Sequence, residues 1–206
     1  TFWLVVQQSI FFALVAVFFK ALIGLIAAHS INAIASKGQR KWRGMLLIPW
    51  VIPPALSTLG WWWLFEPTYS AINWFLVKIS LPAIPWLSET FWARFSIILV
   101  NIWVGAPFFL IMYLAALKSI PADLYEAASI DGANYKQKLY YITLPMMKNI
   151  ISITILFSII VTFANFDIVR VLTRGGPIDT THLFATYAFR VGIESGDIPL
   201  GAAVSL

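Results

Sequence analysis

Residues 95–134 read FSIILVNIWVGAPFFLIMYLAAL and then KSIPADLYEAASIDGAN, and the change of character at Lys118 decides the fold. From Phe95 to Leu117 no side chain carries a charge. A helix rises about 1.5 Å per residue, so roughly 20 apolar residues cover a ~30 Å hydrocarbon core, and this stretch predicts a transmembrane span. The residues after it predict the opposite environment. Pro121 suits a first helical turn, Asp123 sets negative charge near a helix N-terminus, and Gly132 suits the left-handed conformation that ends a helix. Asn134 with Gln137 then forms the pattern of a capping box, so the loop is expected to hold two short helices.

The same length criterion applied outward gives three more spans, Phe2 to Ala28, Met45 to Phe65 and Ile150 to Leu172, and a stub from about Leu200 that opens another. The chain starts inside an apolar run without an initiator Met or a signal-peptide pattern, and is expected to be an excerpt of a longer protein. Composition agrees with a lipid solvent. Of 206 residues 60% are hydrophobic, 16% aromatic and 11% charged, and the mean hydropathy is +0.83. Ten Trp and seven Tyr suit the headgroup level, where an apolar ring body meets a polar edge.

The net charge of +5 follows the loops and not a nucleic-acid groove. Lys37, Arg40, Lys41 and Arg43 mark the first loop, and Lys118, Lys136, Lys138 and Lys148 the third; by the positive-inside rule both are cytoplasmic. The second loop, Glu66 to Arg94 with Pro67, Pro82, Pro85 and Trp86, balances two bases against two acids and is expected outside. Arg174 to Pro199 sets two Arg against Asp179, Glu194 and Asp197 and returns outside. The absence of Cys excludes disulfides, thiol catalysis and Cys-based metal sites, and no metal-ligand cluster is visible. With no internal repeat, low-complexity tract or linker, residues 1–206 read as one polytopic domain. Pro49, Pro53 and Pro54 in the second span and Pro107 in the third each remove a backbone donor, which either kinks a moving path or is the ordinary use of proline in membrane helices.

On the first loop helix Leu124, Ala127 and Ala128 share a face small enough for close approach to another surface. Physics alone leaves two readings, a docking helix or an amphipathic helix on the membrane. Glu126-Ala127-Ala128, three residues, Gly132, nine residues and Ile142-Thr143-Leu144-Pro145 resembles the EAA signature of ABC importer permeases (EAA, x3, G, x9, IxLP), with every signature position matched. The resemblance implies an all-α, polytopic transmembrane helical bundle: four complete spans here plus a truncated fifth, of six expected. It implies that 118–149 is the coupling loop. There Glu126 makes a charged contact with a dimeric cytoplasmic ATPase, Ala127 and Ala128 fit closely, and Gly132 aims the helix, with Leu124 and Asp131 beside them. A plain helix stop at Gly132 is compatible with that role. No phosphate loop occurs in the chain, so ATP and Mg are expected on the partner ATPase, with no cofactor in this chain.

Leu172-Thr173-Arg174-Gly175-Gly176-Pro177 with Thr181 and Tyr187 resembles the LTxGGP stretch of carbohydrate-importer permeases, as does Leu47 to Pro53 followed by Trp61, Trp63, Leu64 and Phe65. This second resemblance implies a sugar substrate, a bacterial inner-membrane location, a second homologous permease forming a heterodimer, and an extracytoplasmic sugar-binding protein. Gly175, Gly176 and Pro177 either contact that binding protein or simply make a tight hairpin. Polar groups in the spans, Asn101 with Trp103 and Asn165 with Asp167, are candidates for the substrate path, against helix-helix hydrogen bonds or an interfacial position as the bland reading. Lys20, inside the first span, either snorkels or pairs, and His29 and His182 receive no role. The competing classes are an ion-coupled secondary transporter or channel, an ABC permease for another solute, and an intramembrane enzyme, for which no Ser/His, His/Asp or metal constellation is visible.

Overall fold

The computed structural model describes residues 2–66 and 70–205, so Pro67 and Leu206 lie outside the described residues, as does the side chain of Lys37. Among the described residues twelve α-helices order as α1 Phe2–Ala33, α2 Ser36–Leu46, α3 Ile48–Val51, α4 Pro54–Phe65, α5 Ala71–Lys78, α6 Thr90–Ser119, α7 Ala122–Ile130, α8 Tyr135–Lys138, α9 Leu144–Phe163, α10 Asp167–Leu172, α11 Phe184–Phe189 and α12 Ile198–Ser205. Single π turns follow α8 (Leu139–Thr143) and α11 (Arg190–Glu194), and the described residues contain no strand. Among them three helices are long and apolar enough to cross a membrane: Phe2–Ala33, Thr90–Ser119 and the interrupted Tyr135–Leu172.

The expected second span is not one helix. Proline disfavours helical backbone at the residue before it, and two in succession compound the effect. Ile52 precedes Pro53, which precedes Pro54, and both are extended, with φ/ψ of −70°/131° and −50°/130°. Pro54 then opens α4 at a first-turn position, where its missing N–H costs nothing. The expected span from Ile150 to Leu172 also differs, since α9 stops at Phe163 and the chain resumes as α10 only at Asp167. No proline marks that break.

In lipid, helices gain nothing from hiding apolar surface from water, so close packing must hold them together. The buried stripe of α1 carries Ala13, Ala16, Gly24 and Ala28, which let α6 approach along most of its length. Phe11, Leu14, Phe18 and Ile26 of α1 stay exposed. Ala28 and Ile31 of α1 meet Leu117 of α6, Ile120 just beyond it and Met147 of α9 in one core, so α1 and α6 run parallel and α9 returns against both. A second core joins Phe12, Phe65, Val100, Ile168 and Leu183 at the other end. Lys118 Nζ donates to Gln39 Oε1 at 2.8 Å, which sets both basic loops at the same end. At the opposite end the Asn73 amide pins the second loop, accepting from Ile84 N–H at 3.0 Å and Trp86 Nε1 at 2.9 Å.

Candidate functional site

The loop between α6 and α9 is built as its sequence requires. α7 closes with two linked bonds, Gly132 N–H to Ser129 O at 3.1 Å and Ala133 N–H to Ala128 O at 2.9 Å, around Gly132 at φ +76°. The capping box is formed in both directions: Gln137 N–H to Asn134 Oδ1 at 3.0 Å and Asn134 N–H to Gln137 Oε1 at 2.7 Å. No residue of α7 is buried. Leu124, Glu126, Ala127, Asp131 and Gly132 are exposed, and Ile130 is 88% exposed at the tip. Ala128 departs from the expected face; it is half-buried, on the side of α7 that carries Tyr125.

Tyr125 and Thr143 are the residues that sequence reasoning missed. The Tyr125 hydroxyl lies 2.8 Å from Thr143 Oγ1, the ring packs on the core that holds Met147 and Leu117, and Lys138 Nζ donates to Ser129 Oγ at 2.6 Å. The signal was present: Tyr125 and Ala128 are three apart on one helical face, and Thr143 is the unspecified position between Ile142 and Leu144. These bonds tie α7 to the entry of α9.

Around Gly132 there is open space, so a side chain there meets strain and not a clash. Gly132→Val is expected to unseat the end of α7 at a cost of about 1 kcal/mol or more, because a β-branched residue is a true outlier at positive φ. Gly132→Asn, which tolerates that conformation, is expected to lose less. Equal melting temperatures for the two variants would remove the requirement for this turn.

Inside the bundle the polar groups form a seam. Lys20 is 4% exposed, and its Nζ donates to Thr162 Oγ1 of α9 at 3.0 Å. A Cβ at Gly105 would lie 2.7 Å from Lys20 Cε, so α6 has left room for the lysine stem. Asn101, one turn from Gly105 on the same side of α6, is buried with Oδ1 unpartnered. Two residues on, and so about 200° around the helix, Trp103 lies edge-on to Trp61 at 5.5 Å and lines a separate apolar hollow of about 420 Å³. The two lie on different sides of α6. Asn165 stands in the break between α9 and α10 with Oδ1 buried and unpartnered, while Asp167 is exposed in the first turn of α10.

The segment after α10 is a braced loop. Thr181 N–H donates to Gly175 O at 3.1 Å, Thr181 Oγ1 to Gly176 O at 2.7 Å, and Arg94 Nε to Thr180 O at 3.0 Å. Gly175 is buried at φ +91°, and a Cβ there would collide with the His182 ring. Burial, the larger effect, pushes the His182 pKa below the usual imidazole value, and Asp179 opposes it. Neutral His182 fits its partners: Nε2 accepts from Arg190 Nη1 at 3.3 Å, and Nδ1–H faces Thr186 Oγ1 at 3.2 Å. Arg190 also pairs with Asp179. Gly176 and Pro177 are half-buried, and the exposed tip is Ile178, at 91%.

The sequence pattern of the family described as "Binding-protein-dependent transport system inner membrane component" matches residues 20–206. The chain belongs to this family. Its members are transport components of the inner membrane, and this chain is a transmembrane helical bundle of the same kind. It is 34% identical over 205 residues to the trehalose/maltose transport system permease protein MalF of Thermococcus litoralis, covering all of this chain and 69% of that one. It is 32% identical to the maltose/maltodextrin transport system permease protein MalF of Escherichia coli K12, over 96% of this chain and 40% of that one. A crystal structure of a bacterial ABC transporter involved in the import of the acidic polysaccharide alginate superposes with a TM-score of 0.87 at 25% identity, over 99% of this chain and 72% of that chain. The complex of the alginate transporter with a pentasaccharide-bound periplasmic protein gives a TM-score of 0.85 at 26% identity, with the same coverage.

Family membership gives the observed parts a setting. The exposed α7 lies at the basic end, the end the positive-inside rule assigns to the cytoplasm, and the braced loop lies at the opposite end.

Proposed function

We propose that this chain is a permease subunit of an ATP-driven, binding-protein-dependent sugar importer, coupled to its ATPase through residues 118–149. The observation that carries the proposal is α7: an exposed helix whose Leu124, Glu126 and Ala127 face outward while Tyr125 ties it to α9. A helix held at its base and bare on its outer face transmits a push. Glu126, Ala127, Ala128, Gly132, Leu124 and Asp131 form the coupling end, and the ATPase partner supplies the ATP and Mg chemistry.

The names of the relatives support a sugar, since they include trehalose/maltose and maltodextrin permeases and an alginate importer. Asn101 and Asn165 are the proposed path residues; Trp103 and Asp167 flank them at a separate hollow and at the exposed start of α10. The break at Asn165 interrupts the helix between α9 and α10, and interrupted helices are where transporters place polar sites. A second, homologous permease completes the path as a heterodimer. Gly175, Gly176 and Pro177 frame the loop that meets the extracytoplasmic binding protein, and Ile178 is its contact tip.

Because the Asn165 and Asn101 oxygens are buried without partners, losing them does not cost a protein hydrogen bond. Asn165→Leu and Asn101→Leu are therefore expected to leave thermal stability within about 1 kcal/mol while reducing sugar uptake about tenfold or more. A variant that melts early and transports normally would reassign these residues to structure. The test of the whole proposal is purification of the full-length protein from native membranes and identification of the chains that accompany it. A second permease and an ATPase are expected; a lone or self-associated chain would favour a secondary transporter.

A further inference from the structure

At the end opposite the basic loops, the first turns of α1 and α6 and the Thr180–Thr181 segment enclose a cleft of about 250 Å³. Gln7, Gln8, Arg94, Thr180 and Thr181 line it, with Phe11 and Ile98 on its apolar side. No acid lines it. Arg94 uses Nε on the Thr180 carbonyl at 3.0 Å and has no other hydrogen bond or ion pair among the described residues. A guanidinium offers five N–H donors, so this one retains the capacity to take a doubly bonded anion. Gln8, 8% exposed, donates to Asp179 O at 3.4 Å and keeps Oε1 unpartnered.

The cleft continues into an apolar groove of about 640 Å³, the two sharing Phe11, Arg94 and Ile98. Val15 and Phe19 of α1 and Phe95, Ile98 and Ile102 of α6 wall the groove, which ends at Ile23. From Phe11 to Ile23 is twelve residues, about 18 Å of helix. One leaflet of hydrocarbon is about 15 Å, half of a ~30 Å core. A cation thus stands at the head of a trough about one leaflet deep, at the end that the positive-inside rule places outside.

We propose that this cleft and groove bind one phospholipid of the outer leaflet. Arg94 takes the phosphate, the Thr180, Gln7 and Gln8 side chains meet the glycerol or headgroup hydroxyls, and one acyl chain lies between α1 and α6. A sugar has no tail to occupy the groove, and an apolar helix from a second permease brings no anion to Arg94. The bound lipid would brace the Arg94–Thr180 contact and with it the loop that carries Ile178.

The test is native mass spectrometry of the full-length protein, purified with its accompanying chains in mild detergent and titrated with dioleoylphosphatidylglycerol. One tightly held lipid is expected, weakened about tenfold or more in Arg94→Gln and largely kept in Arg94→Lys. Dioleoylglycerol, which has no phosphate, is expected to bind the unaltered protein no better than the phospholipid binds Arg94→Gln. Should Arg94→Gln not fold, Ile98→Trp fills the groove with Arg94 intact and is expected to expel the lipid. Undiminished retention in Arg94→Gln or in Ile98→Trp would overturn the proposal. So would displacement of the lipid by maltose, which would give the cleft to substrate. A photo-cross-linker at Val15 is expected to capture lipid, and capture of a second permease instead would assign the groove to a protein interface.

Discussion

A Glu126→Lys variant is expected to reach the membrane in normal amount, melt at the normal temperature, and lose ATPase association together with about a hundredfold or more of uptake. The first half of that result follows from the fold. Glu126 is exposed on α7 with no hydrogen bond or ion pair among the described residues, so its replacement removes nothing that holds the chain together. The second half follows from the proposed contact. Charge reversal at the centre of a small docking surface both deletes an attraction and sets like charges together, and effects of that kind at an interface reach several kcal/mol. Co-purification and transport measured on the same preparation decide it. Normal uptake with the ATPase retained would remove Glu126 from the coupling role, and failure to insert would make the loop a folding element.

The variant probes a lever whose fulcrum is visible. Tyr125 and Thr143 join α7 to the π turn at Leu139–Thr143, through which the chain passes directly into α9. Met147, in the first turns of α9, is fully buried in the core shared with α1 and α6. In the proposed coupling, a push on α7 would reach the helix that carries Thr162 and ends beside Asn165. Packed interiors transmit displacement because they have little free volume to absorb it.

How much of this was legible depended on whether the signal was local. The membrane environment, the turn at Gly132 and the capping box at Asn134 and Gln137 depend on residues within a few positions of each other, and each stands where the sequence put it. The apolar run from Met45 to Phe65 was read by length, which registers hydropathy but not the extended backbone that Pro53 and Pro54 impose on the residues before them. The break at Ala164 to Phe166 has no proline to announce it. Lys20 was visible as an oddity, yet its partner lies 142 residues away, and no local pattern connects position 20 with Thr162. Asn101 and Trp103 stand close in sequence, yet two residues apart on a helix is nearly the opposite face, so their surroundings differ.

The largest effect on stability is expected at Gly24. A Cβ placed there would fall against the Phe109 side chain, 3.0 Å from the Phe109 carbonyl carbon and 3.1 Å from the Leu110 nitrogen. These last two are backbone atoms of α6, and a helix cannot shift one of them without moving its whole turn. Gly24→Val must therefore separate α1 from α6 where the helix backbones pack closely, with a cost of about 3 kcal/mol or more, at or beyond the upper end for overpacking in a rigid core. Lipid adds little to repair it, because the separated faces gain nothing from seeking each other in hydrocarbon. The loss is expected as lower yield and an earlier melt in detergent. Gly60 of α4 is the matched control: a Cβ there meets nothing within 4 Å, so Gly60→Val is expected to change stability by no more than about 1 kcal/mol. If both variants melt together, the cost at position 24 lies in glycine as a residue type and not in the α1–α6 contact.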